Sequence, residues 1–151
     1  MTAFEVLAAA AAVATGLAGG VLFAFSGFVM AGLQRLTPDA AAAAMRGINV
    51  TAVRPPLMIL LLAAVVLPAA TGVIGLVTEA EGAWWALAAA LLTFVGVLAV
   101  TGLRNVPLND RLAAAEEPGV EWVRYVGPWL RWNHVRTAAG GVASLVLAVI
   151  A

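Results

Sequence analysis

All eight arginines of this chain lie in two hydrophilic gaps: Arg35, Arg46 and Arg54 in the first, and Arg104, Arg111, Arg124, Arg131 and Arg136 in or at the edge of the second. Almost everything else is uninterrupted Ala, Val, Leu and Gly. A bilayer accounts for that segregation better than a water-soluble core does, because short positively charged loops are retained on the cytoplasmic side during insertion. The pattern restricts the chain to a small polytopic membrane protein with its polar chemistry gathered on one face.

The apolar runs are long enough to cross. Val6 to Leu33, Leu57 to Val77 and Ala83 to Leu103 each meet the roughly 20 residues that a hydrocarbon layer about 30 Å thick requires. A fourth run, from His134 to Ala151, is shorter and is expected to start near the interface or to lean on its neighbours. The first run is expected to stay as a helix and not to be a cleaved signal peptide, since Met1 to Glu5 carries only an acid and the apolar stretch is too long. An even number of spans puts both termini on one side, together with the acidic turn Thr78 to Gly82. The arginine loops, Gln34 to Pro56 and Arg104 to Asn133, then face the cytoplasm of a bacterial inner membrane. The expected fold is all-α: a single domain over residues 1–151, built as a four-helix transmembrane bundle.

Composition agrees and removes several function classes. With 64% hydrophobic residues and 11% charged ones, a water-soluble domain of this length would not stay in solution. Zero net charge argues against nucleic acid as a partner, since phosphate backbones demand uncompensated cations. Membrane lipids are the expected surroundings. The absence of cysteine removes disulfides and thiolate metal sites. A single histidine cannot build a His-rich centre in one protomer, and Asp110, Glu116 and Glu117 lack ligand spacing. No cofactor is therefore expected, although a haem or metal shared between subunits stays open.

Both arginine loops carry helix signals. Thr37-Pro38-Asp39 reads as an N-cap, a proline at the first helical position and an acid at the positive end of the dipole, opening an amphipathic helix over Ala40 to Val53. Asn105-Val106-Pro107 is expected to close the third span and open a second short helix, Leu108 to Glu116, stopped by Pro118-Gly119. Glu121 to Leu130 leads into the fourth span. Pro68, midway in the second span, is expected to bend it. Gly16 with Gly20, and Gly140 with Ser144, have the small-xxx-small spacing of helix contacts within a bundle or a homo-oligomer.

Polar side chains concentrate at one depth. Arg104-Asn105-Val106-Pro107-Leu108-Asn109 closes span three and Trp129-Leu130-Arg131-Trp132-Asn133-His134-Val135-Arg136 opens span four, so their donors and acceptors can converge beneath the loop helices. These two motifs, with Met45-Arg46-Gly47-Ile48-Asn49 and the N-terminal Phe23-Ala24-Phe25-Ser26-Gly27-Phe28-Val29-Met30, make the chain resemble the anthrone oxygenase-like membrane proteins along nearly its whole length. That family's fungal members are associated with oxidation of polyketide anthrones to anthraquinones. The resemblance implies an oxidoreductase-like role with dioxygen on a flat, apolar phenolic, anthrone or quinone-like molecule.

Anthrone chemistry can be tried on these residues. Removing one proton from the acidic methylene opposite the ketone, while donors hold the resulting oxyanion, leaves an electron-rich anion able to react with dioxygen. His134 is the expected base, since its unperturbed pKa lies near neutrality. Asn105, Asn109 and Asn133 are candidate oxyanion donors, and Arg104 or Arg136 candidate charge stabilisers. Asn49, Ser26, Trp129, Trp132, Phe25 and Phe28 are candidates to hold the ring system. Each also has a structural reading: indoles at span ends form interfacial belts, asparagines beside Pro107 cap helices, and His134 with Arg136 can lock a loop to the bundle. A noncatalytic protein that binds lipid or a partner is the competing class. A carrier is disfavoured because no span holds a charge at mid-depth.

Overall fold

The computed structural model describes residues 1–151, and its helices follow two packing regimes set by two solvents. There is no strand. Four helices are long and apolar enough to cross a membrane: α1 (Ala3–Leu33), α3 (Pro55–Val77), α4 (Ala83–Ala114) and α5 (Pro118–Ile150). The remaining helix, α2 (Pro38–Ala52), lies in the first arginine loop. The long helices form a ring in the order α1, α3, α4, α5, with α1 against α5, and α2 covers the arginine-rich end by packing on α5 and the end of α4.

Within the spans the inside is rich in small residues, with a few large ones such as Leu61, Val97 and Leu147, while most large side chains face outward. Ala8, Ala11, Ala14, Ala18, Ala86, Ala89 and Ala143 are buried, while Val13, Leu17, Ile59, Leu62, Leu91 and Leu145 are exposed. Lipid tails are as apolar as leucine, so burial of large side chains gains little there, and close backbone approach is favoured instead. A close backbone approach joins α1 to α5, where a Cβ on Gly140 would sit 2.9 Å from Gly19 Cα and one on Gly16 would meet Ser144 Oγ at 2.8 Å. Ser144 also donates from Oγ to Ala12 O at 2.9 Å. The Gly140 and Ser144 step is thus a true contact face. Gly20 has open space beside it, so the N-terminal contact pairs Gly16 with Gly19 and not with Gly20.

At the arginine end the regime inverts. Met30, Met45, Leu112, Trp122, Tyr125 and Trp129 are all buried in one cluster with Ala41 and Ala42. These groups stand beyond the most apolar part of the spans, where water is the alternative, and burying each large side chain contributes roughly 1.5–3 kcal/mol. Two polar clips hold the cap down. Arg46 donates from Nε to Leu112 O and from Nη2 to Ala115 O, both at 2.8 Å, closing the C-terminal end of α4. Asp39 accepts from Gly119 N at 2.9 Å, so this acid, expected to serve its own helix, caps the first turn of α5 instead. Thr37 is the N-cap of α2 but makes no side-chain cap bond.

Two other expectations change in detail. The second short helix exists as Val106–Ala114, but it continues the third span, because wide π turns at Thr101–Asn105 and, one turn earlier, Phe94–Ala99 carry the backbone into Pro107 without a break. The segment before the fourth span is helical too, so α5 runs 33 residues and reaches well past the apolar stretch that alone looked short. Pro68, expected to bend the second span, is buried within α3, which is helical on both sides of it. The acidic turn is tight: Glu79 has φ of 56° and Ala80 N bonds to Gly75 O at 2.8 Å, the six-to-one closure of a Schellman motif.

Candidate functional site

Beneath α2, where the two packing regimes meet, a cavity of about 220 Å³ opens between the helices. Its walls are mostly apolar, from Leu22, Phe25, Ile48, Leu57, Leu61 and Leu98, and its polar lining is Asn49, Thr101, Asn109, Asn133 and Arg136 together with Trp129. Phe25 leans on Trp129 with ring centroids 5.7 Å apart. An apolar surface cleft lined by Ile59 and Leu62 shares Met58, Leu61 and Leu98 with the cavity. It faces the lipid-exposed side of α3 and α4, which pack tightly at their other ends, where Gly72 meets Leu87 and Gly75 meets Ala83.

The cavity is assembled by helix periodicity. Trp122, Tyr125, Trp129, Asn133 and Arg136 follow three- and four-residue steps along α5 and are all buried on one stripe. On α4, Thr101, Asn105 and Asn109 are spaced by four. Asn105 Nδ2 donates to Trp129 O at 3.2 Å, and Asn109 Oδ1 accepts from both Tyr125 Oη at 2.8 Å and Trp129 Nε1 at 3.0 Å. Neither asparagine caps a helix. Both tie α4 to α5 and fix the indole that forms one wall.

The wide turns matter locally. In the turn Phe25–Val29, Met30 N reaches back five residues to Phe25 O, and just before it Phe25 N bonds to Leu22 O, three residues back. Leu22 O accepts from Asn133 Nδ2 at 2.8 Å, and the same amide donates to Ser26 Oγ at 2.7 Å. Ladder interruptions of this kind often accompany functional sites because they free backbone groups and re-aim side chains.

Arg136 is the only charged residue in the lining. It is 6% exposed, donating to Asn133 Oδ1 at 2.7 Å and to Thr101 Oγ1 at 3.1 Å, with its guanidinium carbon 5.3 Å from the Trp129 ring centre. No carboxylate pairs with it: the chain's only ion pairs are Met1 with Glu5 and Arg111 with Glu121. Its Nε, Asn49 Nδ2 and Asn105 Oδ1 are buried and have no hydrogen-bond partner. Two of these three atoms, Arg136 Nε and Asn49 Nδ2, belong to lining residues but are themselves buried within the wall and not open to the cavity. Guanidinium stays protonated under all ordinary conditions, so the cavity presents an uncompensated positive charge within apolar walls.

The structure brings only part of the expected set together. Asn49, Asn109, Asn133, Arg136, Trp129 and Phe25 line the cavity, with Asn105 and Ser26 directly behind it. His134 does not. Consecutive residues on a helix point about 100° apart, so with Asn133 and Arg136 inward His134 turns outward, exposed, with Nδ1 2.9 Å from Ser26 Oγ. Arg104, next to Asn105, is turned out for the same reason and covers the Trp132 ring at 4.8 Å. Phe28 is 67% exposed. Trp84 and Trp85 are exposed like interfacial indoles, but Trp122 and Trp129 belong to the cap core. Thr101, Tyr125 and the clip Arg46 were missed by sequence reasoning; the spacing of four that joins Thr101 to Asn105 and Asn109 was the available signal. No three His, Asp or Glu side chains come together to hold a metal.

A transmembrane helical bundle with a capped, aromatic-walled cavity at its arginine end is the class that fold and site define. The sequence pattern of the anthrone oxygenase family matches residues 44–146, more than half the chain, and the protein belongs to that family. The match takes in Arg46, Asn49, both asparagine motifs and Arg136, whereas Phe25, Ser26 and Phe28 precede it. No curated protein and no solved structure matches the chain.

Proposed function

We propose that this protein is an oxidoreductase of the bacterial inner membrane that converts a flat, apolar anthrone-type phenolic to the corresponding quinone with dioxygen. The observation that carries the reading is the cavity: closed over by α2, walled by Phe25 and Trp129, and charged only by Arg136. Family membership supports the reaction class. Arginine loops on the cytoplasmic side would put the cavity at that boundary, where an apolar substrate can arrive from the bilayer through the cleft between α3 and α4. Cysteines at the exposed positions Ala43 and Ala114 are then shielded from an impermeant thiol reagent added outside intact cells, and one at Glu81 is labelled; the reverse pattern overturns the orientation.

The chemistry balances without an external reductant. The methylene loses two hydrogens, one oxygen atom of dioxygen becomes the new carbonyl, and the other leaves as water. The four electrons that dioxygen takes come from the substrate. Protein residues contribute positioning and charge: Arg136 and Asn49 favour the enolate oxygen that forms as the methylene proton departs, an oxyanion-hole effect in surroundings of low dielectric. No imidazole or carboxylate lines the cavity, so the proton passes to water and not to a side-chain base.

The test is oxygen consumption by purified protein with an anthrone, measured against an autoxidation blank, using wild type and Ala52→Trp. Ala52 is half-buried in the cavity wall, so an indole there fills the space without touching Arg136's hydrogen bonds. Wild type should consume one dioxygen per anthrone, and the filled variant, still folded, should return to the blank. Equal rates for both would remove the cavity from the reaction. No protein-dependent rate with any anthrone or quinol would leave a noncatalytic binder of apolar aromatics.

A further inference from the structure

The cavity is not polar all round. Thr101 and Asn109 of α4 and Asn133 and Arg136 of α5 carry its polar side, whereas α3 contributes only Leu57, Met58 and Leu61. That apolar wall continues toward lipid. Met58 and Leu61, with Leu98 of α4, also line the outer cleft, whose other walls are Ile59 and Leu62 and which has no polar residue. Exposure rises across this sill: Leu61 is buried, Leu98 half-buried and Met58 46% exposed. The sizes are complementary as well. At about 220 Å³ the cavity alone is smaller than the roughly 300–1,000 Å³ of ordinary small-molecule sites, and the adjoining cleft, about 290 Å³, brings the space into that range.

A second lipid-facing cleft gives the contrast. It is equally large, about 300 Å³, and equally apolar, but its walls, Trp85, Leu145, Val146, Val149 and Ile150, share no residue with the cavity. A groove of that kind meets only the surrounding lipid. The cleft between α3 and α4 instead adjoins the one aromatic-walled, charged space in the bundle, across side chains that include the adaptable Met58. A guest that fills both spaces must change character along its length. Its inner end can meet Trp129, Asn133 and Arg136, while any polar group at its outer end would lie unsatisfied among leucines, at a cost of about 1–3 kcal/mol. An apolar chain in the cleft loses nothing, since those walls are as apolar as the bilayer it came from.

We infer that cavity and cleft form one site with two compartments, and that its ligand is an aromatic head bearing a single long apolar chain, the head beside Trp129 and Arg136 and the chain lying between α3 and α4 toward lipid. The inference rests on the proposed reading of the cavity as the substrate site but not on turnover. It narrows the substrate class from a free polycycle to a ring tethered in the membrane by its own chain.

The probes are 2-hydroxyanthraquinone and the same molecule with a decyl chain on the ring remote from the hydroxyl, a diazirine midway along that chain, each added to purified protein in bilayer nanodiscs. Irradiation should label Met58, Ile59, Leu62 or Leu98, and excess 2-hydroxyanthraquinone should remove the label, because the head holds the chain in place. Label on Leu145 or Val149 alone, or label that the free ring does not displace, marks casual contact with a lipid-facing surface and overturns the inference. Leu62→Trp and, as a second plug, Ile59→Trp fill the cleft from positions that are 59% and 64% exposed, where the bundle core is untouched. Dissociation constants from ligand-dependent thermal midpoints should rise at least about tenfold for the tailed probe and stay within about threefold for the free ring. Val149→Trp, in the contrasting cleft, should change neither. An unchanged constant for the tailed probe, or equal losses for both probes in both plugs, also overturns the inference. Displaceable label in the cleft without oxygen uptake leaves it standing and removes the oxygenase reading; oxygen uptake with a free anthrone and no displaceable label does the opposite.

Discussion

Replacing Arg136 with Met separates a residue kept for a ligand from one kept for the fold. Two terms oppose each other. The guanidinium donates two hydrogen bonds, at 2.7 and 3.1 Å, and bonds to charged groups contribute about 1.5–3 kcal/mol each. Against them stands the burial of an arginine that is 6% exposed and has no acid, which costs several kcal/mol even after relaxation. Methionine keeps an apolar stem of comparable reach and removes the charge, so the terms nearly cancel. Arg136→Met should lie within about 2 kcal/mol of wild type, whereas breaking a paired buried ion bridge costs about 3–5 kcal/mol. Unfolding by dodecyl sulfate in mixed micelles, followed by far-ultraviolet circular dichroism, measures the difference. Adding 2-hydroxyanthraquinone at a hundred times its dissociation constant should then stabilise wild type by about 2.7 kcal/mol and leave the variant unmoved. A loss above about 3 kcal/mol without ligand, or equal stabilisation of both proteins, refutes the reasoning.

Three further outcomes follow from the geometry. His134 stands one hydrogen bond from Ser26 and outside the cavity, so His134→Gln should keep oxygen uptake with an anthrone within a few-fold of wild type; a fall of about 100-fold, the lower end for loss of a general base, would return the imidazole to the mechanism. Gly140→Val forces apart the contact with Gly19 and should cost about 1–3 kcal/mol in dodecyl sulfate unfolding, while Gly20→Ala, beside open space, should stay within about 0.5 kcal/mol; equal effects would mean that α1 and α5 do not cross at Gly19. Glu79 holds a left-handed conformation that costs a residue with a Cβ about 1–2 kcal/mol, so Glu79→Gly should raise the thermal midpoint, and a lowered midpoint would show that the side chain supplies something the turn needs.

The spans were legible because one physical rule governs them. Hydrocarbon thickness sets their length, so the four apolar runs map onto α1, α3, α4 and α5 with changes only at their ends. What composition hid was the behaviour of backbone near prolines. Pro107 looks like the end of a span, yet α4 runs through it by way of wide turns whose hydrogen bonds reach back five residues. Such turns leave no residue-type signature. The clip formed by Arg46 was equally hidden, since a membrane-flanking arginine reads first as a topology signal, and only the tertiary fold brings Leu112 O and Ala115 O within its reach.

The candidate site was half legible, and the missing half is instructive. Gathering polar residues by sequence neighbourhood put His134 beside Asn133 and Arg104 beside Asn105, but on a helix immediate neighbours diverge while residues three or four apart converge. Applying that rule along α5 selects Trp122, Tyr125, Trp129, Asn133 and Arg136, and along α4 it selects Thr101, Asn105 and Asn109, which are the groups that meet. The stripe on α5 also explains why the cavity lies where it does. Below it, alanine and glycine let α1 and α5 touch backbone to backbone; above it, tryptophan and tyrosine pack as they would in a water-soluble core. Neither regime fills the level between them, where side chains change from small to large, and there a buried cation can be held by neutral partners with one N–H to spare. The shift from small-residue to large-residue packing thus leaves both the space and the polarity of the cavity lined by Trp129, Asn133 and Arg136.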